Sequence, residues 1–341
     1  MHRYIKAVGS GQKRARNLTR AEAGEAMALV CDGAARPEQV GAFLLALRMK
    51  GEAADELAGF VDAIEARMET GGASAPAGTL DVDCHGDGHK GRVTLLSAAA
   101  CALAALGVPV LLRLQRELST ARHGLVGALA ALGLDVTRPL DAARASAALG
   151  GVRVAAIDLR RYAAPLDRLV LLRPLFGVRT VAQTLMKLLD PLACDARAVG
   201  VFHAPYLPST ASALAALGRS GLCVQALGGL PEASPGKILR VCRAGGAPET
   251  IDLRALEAIA AVDDAGDEDD EDGADDDGED AVALNRAALD GAPAAMARAA
   301  AAAAILLHAA RAIAPLTAAA DARRVLASGE ARAVAARLRD A

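Results

Sequence analysis

The segment LDVDCHGDGHKGRVTLLS, Leu80–Ser97, decides how this chain folds. It reads as a short strand, a glycine-containing turn and the start of an apolar helix. That is the layout of a phosphate-cradling loop, because glycines let backbone N–H groups approach an anion and a helix N-terminus favours negative charge. The turn is crowded with His85, His89, Lys90 and Arg92, and its glycines are scattered. The pattern is that of a phosphate site that has been rebuilt.

On either side the chain alternates. Strands are predicted at Leu80–Asp83, Pro109–Arg113, Val152–Ile157, Ala198–His203 and Leu222–Leu227, with helices near 95–106, 122–132, 178–189 and 210–218. Short apolar strands alternating with helices predict an α/β fold with a parallel or mixed sheet covered by helices. Residues 237–253 add β structure. After Pro293 the chain is alanine-rich and helical, alanine having the best helix propensity.

Upstream, residues 1–70 read as a small helical domain. Thr19 with Glu22 forms a capping box that opens a helix running to Cys31. A second helix shows Val40, Phe43, Leu44 and Leu47 on one face and stops at Gly51; a third holds Leu57, Val61 and Ile64. GGASAPAG, 71–78, is a linker, and 79–341 is the α/β domain.

The formal net charge of −3 conceals an asymmetry. Residues 263–280 hold 13 acids in 18 positions, leaving 38 basic against 28 acidic elsewhere, or +10. So acidic a tract is expected to stay disordered. The basic surplus, concentrated in the first twenty residues, is the footprint of a polyanion partner or of a solvated face. Six cysteines without a CxxC pair predict free thiols in a reducing cytoplasm. The apolar run Thr94–Leu114 is broken by Gly107 and Pro109, so it divides into a helix and a strand and no membrane contact is expected. Cys84, His85 and His89 match no strong zinc spacing, and no metal is assigned to them.

Two stretches carry a family resemblance. GAFLLALRMKGEAADELAGFVDAI, 41–64, resembles the second and third helices of the anthranilate phosphoribosyltransferase family. FGVRTVAQTLMKLLDPL, 176–192, resembles that family's LGxRTxFNxLGPLxNP stretch. The resemblance implies the fold shared with class II nucleoside phosphorylases. It also implies a homodimer formed through the helical domain.

The departures matter as much. The family's GTGGD loop and Asn-x-Ser-Thr helix start correspond to CHGDG, 84–88, and Leu95-Leu96-Ser97-Ala98. Its Lys-His-Gly-Asn-Arg segment becomes LRLQR, 112–116, and its magnesium-binding Asp-Glu pair becomes Pro231-Glu232. On this reading Gly86, Gly88, Lys90, Arg92, Ser97, Arg116, Arg173 and Glu232 mark a vestigial phosphoribosyl site, with no catalytic residue, metal or cofactor. Motif loss on an intact scaffold, with the segment YIKAVGSGQKRARNLTR, 4–20, resembles the YbiB-like DNA-binding branch. That branch implies sequence-independent binding of DNA or RNA, with Lys6, Lys13, Arg14, Arg16, Arg20, Lys50, Arg160 and Arg161 as phosphate contacts. The alternative is an active phosphoribosyltransferase with a divergent donor loop, using His85, Lys90 and Arg92, together with Mg²⁺.

Overall fold

The computed structural model describes residues 1–11, 13–85, 93–114, 125–134, 140–259 and 277–340. The chain opens with four helices: α1 (His2–Gly9), α2 (Arg20–Cys31), α3 (Pro37–Lys50) and α4 (Ala54–Glu65). The capping box forms as expected, Thr19 Oγ1 accepting from the Glu22 N–H and the Glu22 carboxylate accepting from the Thr19 N–H at 3.0 Å. Phe43, Leu44, Leu47, Leu57, Val61 and Ile64 are buried. Helices α2 and α4 pack so closely that a Cβ on Gly59 would lie 2.1 Å from the Arg20 carbonyl oxygen, so only glycine fits there. The basic N-terminus is not a loose arm: α1 buries Tyr4 and Val8 and packs on α3.

The α/β part runs β1 (Leu80–Asp83), α5 (Leu96–Ala105), β2 (Val110–Leu114), α6 (Leu125–Ala131), α7 (Ala142–Gly151) and β3 (Val154–Asp158). It continues through α8 (Ala164–Val170), α9 (Arg173–Phe176), α10 (Val181–Leu188), β4 (Ala196–Val201), α11 (Leu207–Ala216) and β5 (Leu222–Gln225). The hairpin β6 (Ile238–Arg243) and β7 (Pro248–Asp252) follows. Then come α12 (Asp277–Leu289), α13 (Pro293–Arg311), α14 (Pro315–Ala327) and α15 (Glu330–Asp340).

Among the described residues the strands form one seven-stranded sheet in the order β3-β2-β1-β4-β5-β6-β7. The first five are parallel and the hairpin is antiparallel to β5. Strand β3 starts two residues later than its apolar pattern suggests, because Val152 caps α7 and Arg153 takes a left-handed φ of 63°. Helix α7 was not legible: its alanine-rich run has no clear apolar face, and the Asp141 cap, accepting from the Arg144 N–H at 2.8 Å, is its main signal.

One face of the sheet packs on α5, α13, α14 and α15; the other packs on the N-terminal helices with α8, α10 and α11. Leucine, valine and alanine dominate both cores. Helix α13 is long and apolar enough to cross a membrane, yet 67% of its apolar stretch is buried within the protein, against β1, β4, α5 and α14. All six cysteines are unpaired. Of the acidic tract, residues 277–280 form the first turn of α12. Residues 263–276 lie outside the described residues, as does the expectation that they are disordered.

Candidate active site at the sheet's switch point

From β1 the chain winds outward through β2 to β3, then returns to place β4 on the other side of β1. In open α/β sheets ligands bind outside the carboxyl ends of the strands, at the point where the winding direction reverses. Here that point is the crevice between the ends of β1 and β4.

Asp83 is the last residue of β1 and is fully buried. Its Oδ1 accepts from the His85 backbone N–H at 3.0 Å and faces the His85 ring Nδ1 at 2.6 Å. Its Oδ2 accepts from Lys187 Nζ at 2.8 Å and from the Gly200 N–H at 3.2 Å. Burial alone would raise the Asp83 pKa; the Lys187 ammonium and His85 prevail and hold it well below the usual carboxylate range. The same ammonium donates to the carbonyls of His85 and Gly229. Gly229 can reach it because Gly200 has no side chain: a Cβ there would stand 2.1 Å from the Gly229 oxygen.

Arg113, fully buried on β2, sets the position of Lys187. Its Nε donates to the Asp81 carboxylate at 2.9 Å, and its other nitrogens donate to the carbonyls of Met186 and Lys187 at the end of α10. A cation suits a helix C-terminus. Arg197 bonds the same Asp81 at 2.6 Å and Asp190 at 3.3 Å, so the paired charges beneath the site are mutually compensated.

The start of α5 lies on the same edge. Glu232 accepts from Thr94 Oγ1 at 2.6 Å and from the Leu95 N–H at 2.9 Å. Asn285 of α12 accepts from the Ala98 N–H at 2.9 Å and donates to the Thr94 carbonyl at 2.7 Å. The first turn is thus fixed from two sides. Ser97, in that turn, is buried and its Oγ has no partner.

Of the expected phosphoribosyl residues, Ser97 and Glu232 reach this edge. Arg173 opens α9, half-buried. Gly86, Gly88, Lys90, Arg92 and Arg116 lie outside the described residues. Sequence reasoning missed Asp83, Arg113 and Lys187 as site residues. The usable signal for Lys187 was its place within 176–192, the stretch that carries the family likeness.

Half of the eight expected phosphate-binding cations are committed to the protein itself. Arg16 pairs with Glu22 at 2.6 Å, Arg20 with Asp62 at 2.6 Å, Lys50 with Glu56 at 2.7 Å and Arg160 with Asp158 at 2.6 Å. Lys6, Lys13, Arg14 and Arg161 are exposed.

Magnesium wants carboxylate oxygens left open to it, usually from one or two carboxylates plus substrate phosphates. Both carboxylates of this edge are engaged: Asp83 by four donors and Glu232 by a hydroxyl and an N–H. Among the described residues no group of three or more His, Cys, Asp or Glu could hold a metal ion. Among the described residues, the carboxylates of this edge do not fit a protein-held Mg²⁺.

A helical bundle joined to an open α/β sheet, with a charged cluster at the sheet's switch point, defines a two-domain α/β protein. The chain belongs to the glycosyl transferase family: residues 2–68 match its helical bundle domain and residues 79–332 its a/b domain. It is 47% identical over 95 residues to the anthranilate phosphoribosyltransferase of Methylocella silvestris, covering 28% of this chain and 26% of that protein. It is 40% identical over 103 residues to that of Rhizobium meliloti, 30% of each chain. The matched segments thus span under a third of these relatives' length. The crystal structure of the Thermus thermophilus anthranilate phosphoribosyltransferase superposes with a TM-score of 0.81 at 28% identity, over 99% of this chain and 98% of that one. The Saccharomyces cerevisiae enzyme, solved in complex with PRPP (phosphoribosyl pyrophosphate) and Mg, shares the fold, with a TM-score of 0.79 at 16% identity over 99% and 96% of the two chains.

These likenesses overturn the expectation of a non-catalytic nucleic-acid binder. The relatives are phosphoribosyltransferases. The charge argument for the binder fails where the cations it needed are paired internally.

Proposed function

We propose that this chain is a phosphoribosyltransferase, moving a 5-phosphoribosyl group from its pyrophosphate donor to an aromatic amine of the anthranilate class. The carrying observation is the Asp83–His85–Lys187 cluster at the switch point, on the same sheet edge as the start of α5. Catalysis of such a transfer consists chiefly of placing fixed positive charge where the leaving pyrophosphate develops negative charge. Lys187 supplies a fixed positive charge at this edge; its three N–H donors are spent on Asp83 and the carbonyls of His85 and Gly229, so it acts on a ligand through its field. It offsets the lysine missing at Leu112. Ser97 Oγ, in the first turn of α5, adds a hydroxyl donor.

Since the carboxylates do not fit a resident metal, Mg²⁺ belongs to the donor as the counter-ion of its pyrophosphate. The six free thiols suit a cytoplasmic setting. A homodimer through the helical domain is supported by exposed apolar side chains, Leu45 and Met49 on α3, with Leu171 before α9 and Leu175 on it also exposed. Light scattering on Met49→Glu tests it: a species of unchanged mass rules this face out.

The reading is tested by anthranilate-dependent pyrophosphate release from phosphoribosyl pyrophosphate with Mg²⁺. Turnover above a no-protein control is expected. Its absence at substrate saturation sinks the assignment.

A further inference from the structure

His85 follows β1 and is only 3% exposed, yet its Nε2 is buried without a hydrogen-bond partner. Leaving such an atom unsatisfied is costly, so each instance in a folded protein calls for an explanation. The other ring nitrogen, Nδ1, lies 2.6 Å from Asp83 Oδ1. A carboxylate can only accept there, so Nδ1 carries the ring proton. Nε2 is then a bare lone pair, on a ring whose orientation is fixed by a buried carboxylate. This is the base-plus-orienter arrangement used in hydrolase triads.

The charges around the ring suit that role. Asp83 faces it from β1, Lys187 from α10 and Arg113 from β2. Burial, with the two cations, lowers the His85 pKa, while the bond to Asp83 opposes them; the net shift is downward. The ring is therefore neutral at neutral pH. Asp83, held ionised, is in place to stabilise an imidazolium once a proton arrives.

We propose that His85, through Nε2, is the general base that takes the acceptor's amine proton during transfer. This rests on the transferase reading above. The acceptor nitrogen bonds to ribose C1, the C1–O bond to pyrophosphate breaks, and pyrophosphate leaves with that electron pair. The N–H proton moves to Nε2, and the ring returns it to solvent after product departs.

His85→Asn separates the two ring nitrogens. Its amide can still donate to Asp83 from near the Nδ1 position and has nothing at Nε2. With anthranilate and the phosphoribosyl donor, kcat should fall about a hundredfold or more, the range of a lost general base. KM for the donor should hold, and the acid limb of the kcat/KM pH profile should disappear. A folded variant with the wild-type rate and an intact acid limb overturns the role of His85 and leaves the transferase reading standing. A wild-type protein with no turnover overturns that reading and this proposal together. Should His85→Asn fail to fold, ring ¹⁵N NMR of the wild type decides independently. A protonated Nδ1 with an unprotonated Nε2 is expected, and an Nε2–H tautomer overturns the proposal.

Discussion

The Lys187 ammonium stands 2.8 Å from Asp83 Oδ2, joining the end of α10 to the end of β1 across the switch-point crevice. Asp83 is wholly buried while the Lys187 side chain is 18% exposed, and its ammonium also holds the carbonyls of His85 and Gly229. Lys187→Met strips the carboxylate of its ammonium. Breaking a buried pair from one side costs about 3–5 kcal/mol. The variant should melt several degrees lower and lose turnover. The double variant with Asp83→Asn should recover part of the melting temperature but none of the activity. If Lys187→Met melts with the wild type, the pair is not a structural tie.

The same cluster sets an acid response. His85 has a lowered folded-state pKa, so its contribution is complete above the unfolded histidine value of about 6.5 and declines as pH falls through the folded value. Asp83 is also depressed, so its contribution is complete above the unfolded aspartate value of about 3.9 and is lost on further acidification. Both effects have the same sign. Melting temperature should fall below about pH 6.5 and again below about pH 4. In His85→Asn the upper step should be absent, so that it remains in the difference between variant and wild type. An unchanged upper step assigns it to another histidine.

Much of this was readable beforehand, and the failures have physical causes. Thr19–Glu22, Gly51 and the Leu80–Asp83 strand are local signals, set by caps and alternation, and they fall where the chain puts them. Asp83 and Lys187 are 104 positions apart, and no local pattern pairs them. Arg113 read as a departure from the family's lysine-histidine segment; only the fold shows it clamping the carbonyls of Met186 and Lys187. Counting charges misled in the opposite way. Lysines and arginines are visible in a sequence, but which carboxylate each one meets is decided by the fold, as with Asp62 for Arg20, 42 positions away.

Glu232 separates a structural carboxylate from a metal ligand. It secures Thr94 and Leu95 at the entry to α5. Glu232→Gln should cost about 1.5–3 kcal/mol, the scale of hydrogen bonds to a charged group. Chelation of wild-type protein with EDTA should leave the melting temperature unmoved. Added Mg²⁺ should raise it only when phosphoribosyl pyrophosphate is present, since stabilisation tracks what binds the folded state. A Mg²⁺-dependent rise in donor-free protein, lost in Glu232→Gln, would show that the protein does hold the metal.

Lys50 tests the internal use of the basic N-terminal region. Its Nζ donates to Glu56 at 2.7 Å, to Asn17 Oδ1 at 2.8 Å and to the Gly51 carbonyl at 2.6 Å. Glu56 is fully buried and also accepts from the N–H groups of Leu18 at 2.9 Å and Ala53 at 2.8 Å. One carboxylate thus ties together the approach to α2, the end of α3 and the start of α4. Lys50→Met leaves that carboxylate buried without its ammonium, a loss of about 3–5 kcal/mol. Lys13→Ala and Arg14→Ala remove charge from exposed side chains and should stay within about 0.5 kcal/mol of wild type. Urea unfolding of the three variants measures the contrast directly. Equal small effects at all three positions would mean that Lys50 is a surface cation after all and that the helical bundle draws no stability from it.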